Sequence, residues 1–337
     1  MKKLTITFIV LDVLAALGFF FVYSPIFEEL QNTIISTASI TKTHGYIAHV
    51  FYDDDRINKV VALNTVPIID AEINLDDVVI DTKPRTSYDN EYDKAILTRD
   101  ANNEDYKYLK IKVGGTDAHL IAIYDPSKVH LLTCRVFNTK DNSGKESVLT
   151  MAKRMGAVIG INGGGFVDYG YGSDIPVGYV IKDGKVIWSP INDRQNLIGF
   201  TNDNKLLLVN ATGEEAVEMG MRDGLQFGPF LMVNGEKPNF SNGAGGYSRA
   251  ARVVIAQRKD GIVLFLVTEG THTTGPNMKE VVDTLEKYGA YNAANLDGGT
   301  SAQLVMNGKL INTPKNIFNQ VVEGGRNVVT GWGLFLN

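Results

Sequence analysis

Cysteine is almost absent from this chain of 337 residues, and Cys134 is the only one. A single cysteine cannot close a disulfide within the chain, and no histidine or cysteine lies at zinc-ligand spacing around it. The sequence therefore predicts neither a disulfide framework nor a zinc site there. We expect Cys134 to be a small buried apolar residue.

The sequence also lacks a basic block. Its 33 lysine and arginine residues are outnumbered by 38 acidic residues, the formal net charge is -5, and the two signs are mixed along the chain. A protein that follows a phosphate backbone concentrates positive charge on one surface. Nucleic acid is therefore not predicted as a partner. The content of 44% hydrophobic and 21% charged residues is that of a folded globular protein.

Long hydrophobic runs are rare as well, but residues 4–23 form one directly after Met1, Lys2 and Lys3. About 20 apolar residues are needed to cross a bilayer, so this run predicts a transmembrane helix. The two lysines favour a cytoplasmic N-terminus, which places the rest of the chain outside the cell. The alternative is a cleaved signal peptide, although the run is longer than usual for one and no A-x-A-like site follows it. Asp12 is then expected to be protonated or paired within the membrane.

Patterning changes along the rest of the chain. Residues 24–105 are weakly patterned and are predicted to form a stalk or adaptor segment, in which Asp53-Asp54-Asp55 is interpreted as a solvated turn rather than a calcium loop. Over residues 106–337 short β-rich runs alternate with glycine, and stretches 147–155 and 277–288 have helical spacing. This part predicts an α+β domain, with a single large mixed β-sheet and flanking helices, that follows the anchor (1–23) and the adaptor.

Two segments place a polar residue and glycines directly after an apolar run, which is where binding and catalytic sites are usually built. In AVIGINGGGF, residues 157–166, Asn162 and three glycines end a strand; the alternative is a tight turn. The G-x-G-x-x-G fingerprint of dinucleotide-binding folds is not met. In NLDGGTS, residues 295–301, Asp297 stands beside two glycines, which is more than a turn requires.

Three further segments follow the same principle. FGPFLMVNG, residues 227–235, has the Asn-Gly signal of a hairpin and is structural on these grounds alone. RAARVVIA, residues 249–256, opens a strand with guanidinium groups that suit a phosphate or carboxylate, with a structural ion pair as the alternative. TEGTH, residues 268–272, brings Glu269 and His272 onto one loop.

Taken in order, these segments resemble the phosphodiester glycosidases, the bacterial relatives of the lysosomal uncovering enzyme. The family pattern contains an N-G-G-F-F-like strand end, G-P-x-L-x-x-x-G, an R-T-A-I-G-like strand and N-L-D-G-G-G-S. The resemblance covers about residues 106–337 and includes a closing arginine motif, GRNVV, at residues 325–329. The chain departs from the pattern by one inserted glycine and three replaced residues, which are Gly165, Val253, Ala256 and Thr300.

The resemblance implies cleavage of the glycosidic bond of a sugar phosphodiester. Phosphate leaves as a stable anion, so cationic donors matter more than a strong general acid. As catalytic residues the resemblance implies Asp297, then Glu269, as the carboxylate that assists at the anomeric carbon, while Arg252, together with Arg326, holds the departing charge. The predicted substrate-binding residues are Asn162, Gly163, Gly164, Phe166, Gly228, His272, Gly298, Gly299, Thr300, Ser301 and Arg326.

The implied protein is an extracellular, membrane-anchored hydrolase that acts on a glycosyl-1-phosphodiester in a cell-surface polysaccharide or teichoic-acid-like polymer. No cofactor is predicted for this reaction. Two alternatives stay open. One is a carbohydrate-binding or exopolysaccharide-assembly protein without turnover. The other is a metal-dependent phosphodiesterase in which Asp297, Glu269 and His272 hold a divalent cation.

Overall fold

A computed structural model describes residues 2–40, 45–137, 144–167, 174–190, 192–240 and 248–336. The chain forms two compact units. The first, called the helical unit, contains Met1–Thr65 and Phe240–Ser248, and the second, called the sheet unit, contains Val66–Asn239 and Arg249–Asn337.

Helices and strands in the described part of the chain have the following bounds. The helices are α1 (Lys2–Tyr23), α2 (Glu28–Ile40), α3 (Gly45–Phe51), α4 (Asp54–Asn64), α5 (Glu91–Leu97), α6 (Val148–Met155), α7 (Gly213–Glu218) and α8 (Met278–Lys287). The strands are β1 (Tyr106–Val113), β2 (Thr116–Ile123), β3 (Val129–Thr133), β4 (Ile159–Asn162), β5 (Val180–Lys182), β6 (Lys185–Trp188), β7 (Gln195–Thr201), β8 (Leu206–Ala211), β9 (Met221–Gln226), β10 (Phe230–Met232), β11 (Val253–Arg258), β12 (Val263–Thr268), β13 (Ala290–Leu296), β14 (Leu304–Met306), β15 (Lys309–Leu310) and β16 (Thr330–Leu334).

The helical unit begins with the apolar helix α1. Its segment Ile6–Tyr23 is long and apolar enough to cross a membrane and is not buried within the protein. At about 1.5 Å per residue the whole helix spans roughly 33 Å, which is close to the thickness of a bilayer core. A signal sequence has the same features.

Helices α2, α3 and α4 pack around a small apolar core in the same unit. This core contains Ile35, Ala38, Ala48, Ile57 and Val60.

The Asp53-Asp54-Asp55 cluster starts helix α4. The Asp53 carboxylate accepts a hydrogen bond from the Arg56 amide at 2.8 Å, and Asp54 and Asp55 occupy the first turn. Acidic residues are favourable there because they satisfy free amides and oppose the positive end of the helix dipole. The prediction of a turn is therefore wrong, although the aspartates are solvent-exposed as expected.

The sheet unit confirms the α+β class. Its strands form a six-stranded sheet in the order β1-β2-β12-β11-β13-β10, and two five-stranded sheets in the orders β15-β14-β4-β16-β3 and β6-β5-β9-β7-β8. The described strand pairs are antiparallel, so three antiparallel sheets take the place of the single mixed sheet that was predicted. Many consecutive strands are joined by short turns, which favour antiparallel pairing over the long crossovers of parallel strands.

One hydrophobic core lies between the three sheets. It contains residues from each sheet, such as Ile255, Ile161 and Phe200. Trp332 is fully buried in it and meets Phe200 edge to face at 5.5 Å between ring centroids. The two predicted helical stretches form α6 and α8.

Residues 66–105 pack against the six-stranded sheet within this unit. Arg258 on β11 donates to the Asp93 carboxylate of α5 at 2.7 Å and to Asp260 at 2.9 Å, and all three side chains are buried. The Tyr291 hydroxyl of β13 donates to Asp77 at 2.6 Å. These bonds fix the segment to the end of β11 and β13 that lies opposite Arg252 and Asp297.

Candidate active site

The three predicted catalytic residues lie at one end of the six-stranded sheet. Strand β11 runs antiparallel between β12 and β13, with Val253 opposite both Val267 and Leu296. The start of β11 therefore lies beside the ends of its two neighbours. Arg252 precedes β11, Glu269 follows β12 and Asp297 follows β13, so the strand pairing places them on adjacent strand ends.

Backbone bonds fix the positions of these strand ends. The Arg252 amide donates to Thr268 Oγ1 at 2.8 Å, and the Gly299 amide donates to the Ala251 carbonyl at 2.8 Å. A Cβ at Gly298 would collide with the Ala251 carbonyl, so glycine permits the close approach of the two segments.

The Asn162 turn of the second sheet meets the Asp297 turn of the first. The Asp297 amide donates to the Gly163 carbonyl at 3.0 Å, and Asn162 Nδ2 donates to the Asp297 carbonyl at 2.6 Å. Asn162 is fully buried, and its Oδ1 accepts from the Gln303 amide at 3.0 Å. Asn162 therefore acts as a positioning residue for the Asp297 backbone.

Gly163 and Gly164 are bound within the protein through their amides. Gly163 N donates to the Thr330 carbonyl at 2.9 Å, and Gly164 N donates to Thr330 Oγ1 at 3.0 Å. A Cβ at position 163 would lie 2.6 Å from Leu225 Cδ2, and one at 164 would lie 2.6 Å from the Gln226 carbonyl. The glycines thus let the turn pack closely between β16 and β9. That their amides hold a substrate oxygen stays a prediction.

His272 lies against the glycine pair that follows Asp297. Its ring would be 2.6 Å from a Cβ at Gly299, whose φ of +57° also favours glycine. The Thr300 amide points to His272 Nε2 at 3.5 Å, and Thr300 and Ser301 are both buried. The structure therefore brings His272, Thr300 and Ser301 to the Asp297 turn.

Gly228 precedes β10, which pairs with β13 on the side opposite β11. The Gly228 carbonyl accepts from Asn295 Nδ2 at 3.2 Å, and the Pro229 carbonyl accepts from the Asn295 amide at 3.0 Å. Asn295 stands two residues before Asp297 on the same strand, so Gly228 belongs to the same sheet end. Its peptide bond to Pro229 is cis.

Glu269 belongs to a chain of polar side chains. Its Oε1 lies 3.2 Å from His119 Nε2, and the other ring nitrogen of His119 lies 2.8 Å from the Tyr108 hydroxyl. The Thr313 amide donates to both Glu269 oxygens, at 3.1 and 3.2 Å. Burial, and then the Glu269 charge, raise the pKa of Tyr108, so the phenol stays protonated at neutral pH.

The two predicted arginines differ in their surroundings. Burial lowers the pKa of Arg252 to about 10, so the guanidinium is still charged at neutral pH. Its Nε lies 3.5 Å from the Pro276 carbonyl. Arg326 is half-buried, with its guanidinium carbon 5.1 Å from the centre of the Phe166 ring. This cation–π contact sets the direction of the Arg326 side chain.

Arg249 forms a structural ion pair, which was the alternative to phosphate or carboxylate binding for residues 249–256. Its guanidinium forms a two-pronged pair with Glu280 of α8, with both distances 3.0 Å, and also donates to the Gly275 carbonyl at 3.1 Å. It anchors the loop that carries His272 to helix α8.

Sequence reasoning missed several residues that build the site, above all Gln303, which is fully buried. Gln303 Nε2 donates to the Arg326 carbonyl at 2.8 Å and to the Ser301 carbonyl at 3.3 Å, while its Oε1 accepts from the Val148 amide at 3.2 Å. A glutamine just after the NLDGGTS segment, at the start of an apolar strand, was the available signal. Thr330 and His119 had no comparable signal, because each reads as an ordinary strand residue.

No group of three or more His, Cys, Asp or Glu side chains placed to hold a metal ion occurs within residues 2–40, 45–137, 144–167, 174–190, 192–240 and 248–336.

The family model of the phosphodiester glycosidases matches residues 155–335, more than half of the chain. The chain belongs to the phosphodiester glycosidase family. Every predicted site residue from Asn162 to Arg326 lies inside this match. The prediction of the family from the ordered motifs is therefore confirmed, and membership supports a hydrolase of the glycosidase type.

The fold of one solved structure agrees with this assignment. The catalytic domain of zebrafish N-acetylglucosamine-1-phosphodiester alpha-N-acetylglucosaminidase, auto-inhibited by its pro-peptide, superposes with a TM-score of 0.57 at 20% identity. The match covers 72% of this chain and 87% of that one, and it shows the fold alone. A hypothetical protein from Synechocystis gives a TM-score of 0.47 at 17% identity, covering 70% of this chain and 63% of that one.

Among curated sequences, the SPbeta prophage-derived uncharacterized protein YomE of Bacillus subtilis (strain 168) is 29% identical over 202 residues. The match covers 56% of this chain but only 30% of that protein. The chain thus spans about a third of the length of this relative.

Proposed function

We propose that the protein hydrolyses a glycosyl-1-phosphodiester and that Asp297 is the essential carboxylate. The observation that carries the proposal is the paired turn: the Asp297 amide and carbonyl are both held by the Asn162-Gly163 turn of a different sheet, at 3.0 and 2.6 Å. Catalytic carboxylates need a fixed position relative to the reacting carbon. A backbone held from both sides supplies that fixity.

In this reaction the bond between the anomeric carbon and the phosphate oxygen breaks, and water supplies the new anomeric hydroxyl. Asp297 stabilises the positive charge that develops on the sugar, as a nucleophile or as the base that takes the proton from water. The electron pair leaves with the phosphate monoester. Arg252 and Arg326 hold that departing charge, because a guanidinium can fork two hydrogen bonds to a phosphate.

Glu269 serves as the second carboxylate of the proposal. The hydrogen bonds from His119 and Thr313 fix its direction, and the Tyr108–His119–Glu269 chain offers a route for a proton. His272 and the buried residues Thr300 and Ser301 lie beside the Asp297 turn and are the proposed sugar-binding groups.

For substrate and location, we propose a polysaccharide or teichoic-acid-like polymer at the cell surface. The support is helix α1, which we assign as a single-pass anchor that leaves the sheet unit outside the cell. Resistance of the protein to alkaline carbonate extraction, together with digestion of the sheet unit by protease added to intact cells, is the expected result. Release of the protein into the medium would assign α1 to a cleaved signal sequence instead.

The test of activity uses the full chain in detergent and the methyl phosphodiester of N-acetylglucosamine-1-phosphate. We expect free sugar to be released, and Asp297→Asn to lower kcat by at least about a thousandfold, as is typical when one acting carboxylate is lost. Asp283→Asn is the matched control, because Asp283 is on α8 and pairs with Lys279 on the surface. An Asp297→Asn protein with normal turnover would remove the central assignment.

A further inference from the structure

A small hairpin projects from the candidate site, and we infer that it binds the carbohydrate chain attached to the phosphate of the substrate. This hairpin, residues 313–326, is called the rim hairpin. The inference rests on the proposed function and adds a specificity-determining residue, Phe318, that contacts no reacting atom.

The rim hairpin is attached at both ends to predicted site residues. At its start the Thr313 amide donates to the Glu269 carboxylate at 3.1 Å. At its end stands Arg326, whose carbonyl accepts from Gln303 Nε2 at 2.8 Å. Both ends of the rim hairpin therefore lie at predicted site residues, so a phosphate held by Arg326 would direct the group attached to it along this hairpin.

The hairpin has a defined internal structure. Lys315 pairs with Val321 as a β-bridge, and the Val322 amide donates to the Pro314 carbonyl at 2.9 Å. Asn316 organises the tip, because its Oδ1 accepts from the Phe318 amide at 2.9 Å and from the Gln320 amide at 3.0 Å. The tip therefore presents its side chains from an ordered turn, so little conformational entropy is lost on binding.

Apolar side chains are exposed at this tip. Phe318 is 75% exposed, and Ile317 and Val321 are 56% and 48% exposed. Exposed apolar groups clustered on one ordered turn, joined to predicted site residues, suit a ligand-binding surface.

The neighbouring polar groups favour a carbohydrate as the occupant. Asn319 and Gln320 follow Phe318 directly and are exposed, so the tip offers amide groups as well as an aromatic ring. Gln320 Oε1 accepts from Asn316 Nδ2 at 3.0 Å, which leaves the Nε2 hydrogens of Gln320 as donors. A sugar presents both an apolar C–H face, which packs on an aromatic ring, and hydroxyl groups, which bond to amides.

The experiment compares a small and a polymeric substrate with the full chain in detergent. The small probe is the methyl diester of N-acetylglucosamine-1-phosphate, and the polymer is a linear chain of N-acetylglucosamine joined through 1-phosphodiesters. We expect Phe318→Ala to raise KM for the polymer about tenfold, which corresponds to loss of a partly buried aromatic contact. KM and kcat for the methyl diester should stay within about twofold, and Phe318→Trp should restore the low KM for the polymer.

Ile68→Ala is the matched control, because Ile68 is 94% exposed in the sheet unit outside the rim hairpin. It should change neither substrate. Equal effects of Phe318→Ala on both substrates, or no effect on either, would overturn the inference. An oligomer that dissociates in Phe318→Ala, measured by light scattering, would assign the tip to a second copy and would also overturn it.

Turnover of the methyl diester by the unmodified protein tests the proposed function separately. If neither substrate is cleaved, binding of the polymer by the unmodified protein and by Phe318→Ala still decides the inference. An unchanged dissociation constant would overturn it, and a tenfold weaker one would support it.

Discussion

Asn162 offers the sharpest test of how the site is held together, through the substitution Asn162→Ala. The change removes two buried hydrogen bonds, from Nδ2 to the Asp297 carbonyl and from the Gln303 amide to Oδ1, at 2.6 and 3.0 Å. Each bond contributes about 1 kcal/mol net, and each buried partner left unsatisfied costs roughly 1–3 kcal/mol. We expect the free energy of unfolding of the sheet unit to fall by about 2–4 kcal/mol.

Tryptophan fluorescence during urea denaturation measures the free energy of unfolding of the sheet unit. Both tryptophans, Trp188 and Trp332, lie in the sheet unit, and Trp332 is fully buried. The same substitution should lower kcat under conditions where the protein is folded, because the Asp297 backbone loses one of its two supports.

Asn210→Ala is the matched control for this experiment. Asn210 is exposed at the end of β8 and donates to Asn196 at 3.0 Å. Its loss should change the free energy of unfolding by no more than about 0.5 kcal/mol. If Asn162→Ala behaves like Asn210→Ala in both stability and turnover, the paired turn does not position Asp297.

Three further predictions address burial and charge. Arg258→Met removes the cation that Asp93 and Asp260 share and leaves Asp260 with the more exposed Arg85 at 3.4 Å, so urea denaturation should show a loss of about 3 kcal/mol or more. Arg194→Met, which breaks an exposed pair with Glu215, should cost less than about 1 kcal/mol, and equal losses would contradict this reasoning. Burial, followed by the nearby acidic groups, raises the pKa of Cys134 to about 12, so iodoacetamide at neutral pH should label the thiol only after unfolding. Labelling of the native protein would show that Cys134 is accessible. Because the pKa of Arg252 is lowered to about 10, its charge is present below that pH and is lost above it. The pH profile of kcat/KM should therefore fall as pH rises through about 10, and a profile that stays level beyond this point in folded protein would contradict the lowered pKa of Arg252.

The parts of the site that sequence reasoning reached share one physical feature. Asn162 and Asp297 each end a buried apolar strand and are followed by glycines, and a polar residue at such a position is visible without coordinates. Arg252 and Glu269 could be placed at the same site because antiparallel pairing puts the start of one strand beside the end of its neighbour. Helices α6 and α8 were predicted from the helical spacing of their apolar residues.

Contacts between residues that are far apart in the sequence could not be predicted. The contact of Gln303 with Arg326, and of Asn162 with Asp297 across 135 positions, depends on which strands become neighbours. The division of the strands into three sheets also depends on which strands become neighbours, so it was not predicted. Helices α2 to α4 were interpreted as a stalk because short helices with small apolar faces give only a weak periodic signal.

The most direct test of the account is the position of the bond that breaks. Hydrolysis of the methyl diester of N-acetylglucosamine-1-phosphate in H₂¹⁸O, followed by mass spectrometry of both products, reports it. The account predicts that ¹⁸O enters the anomeric hydroxyl of the sugar and that methyl phosphate carries none. Label in the phosphate product would show cleavage of the P–O bond and would contradict the assignment of Asp297 to glycosidic chemistry.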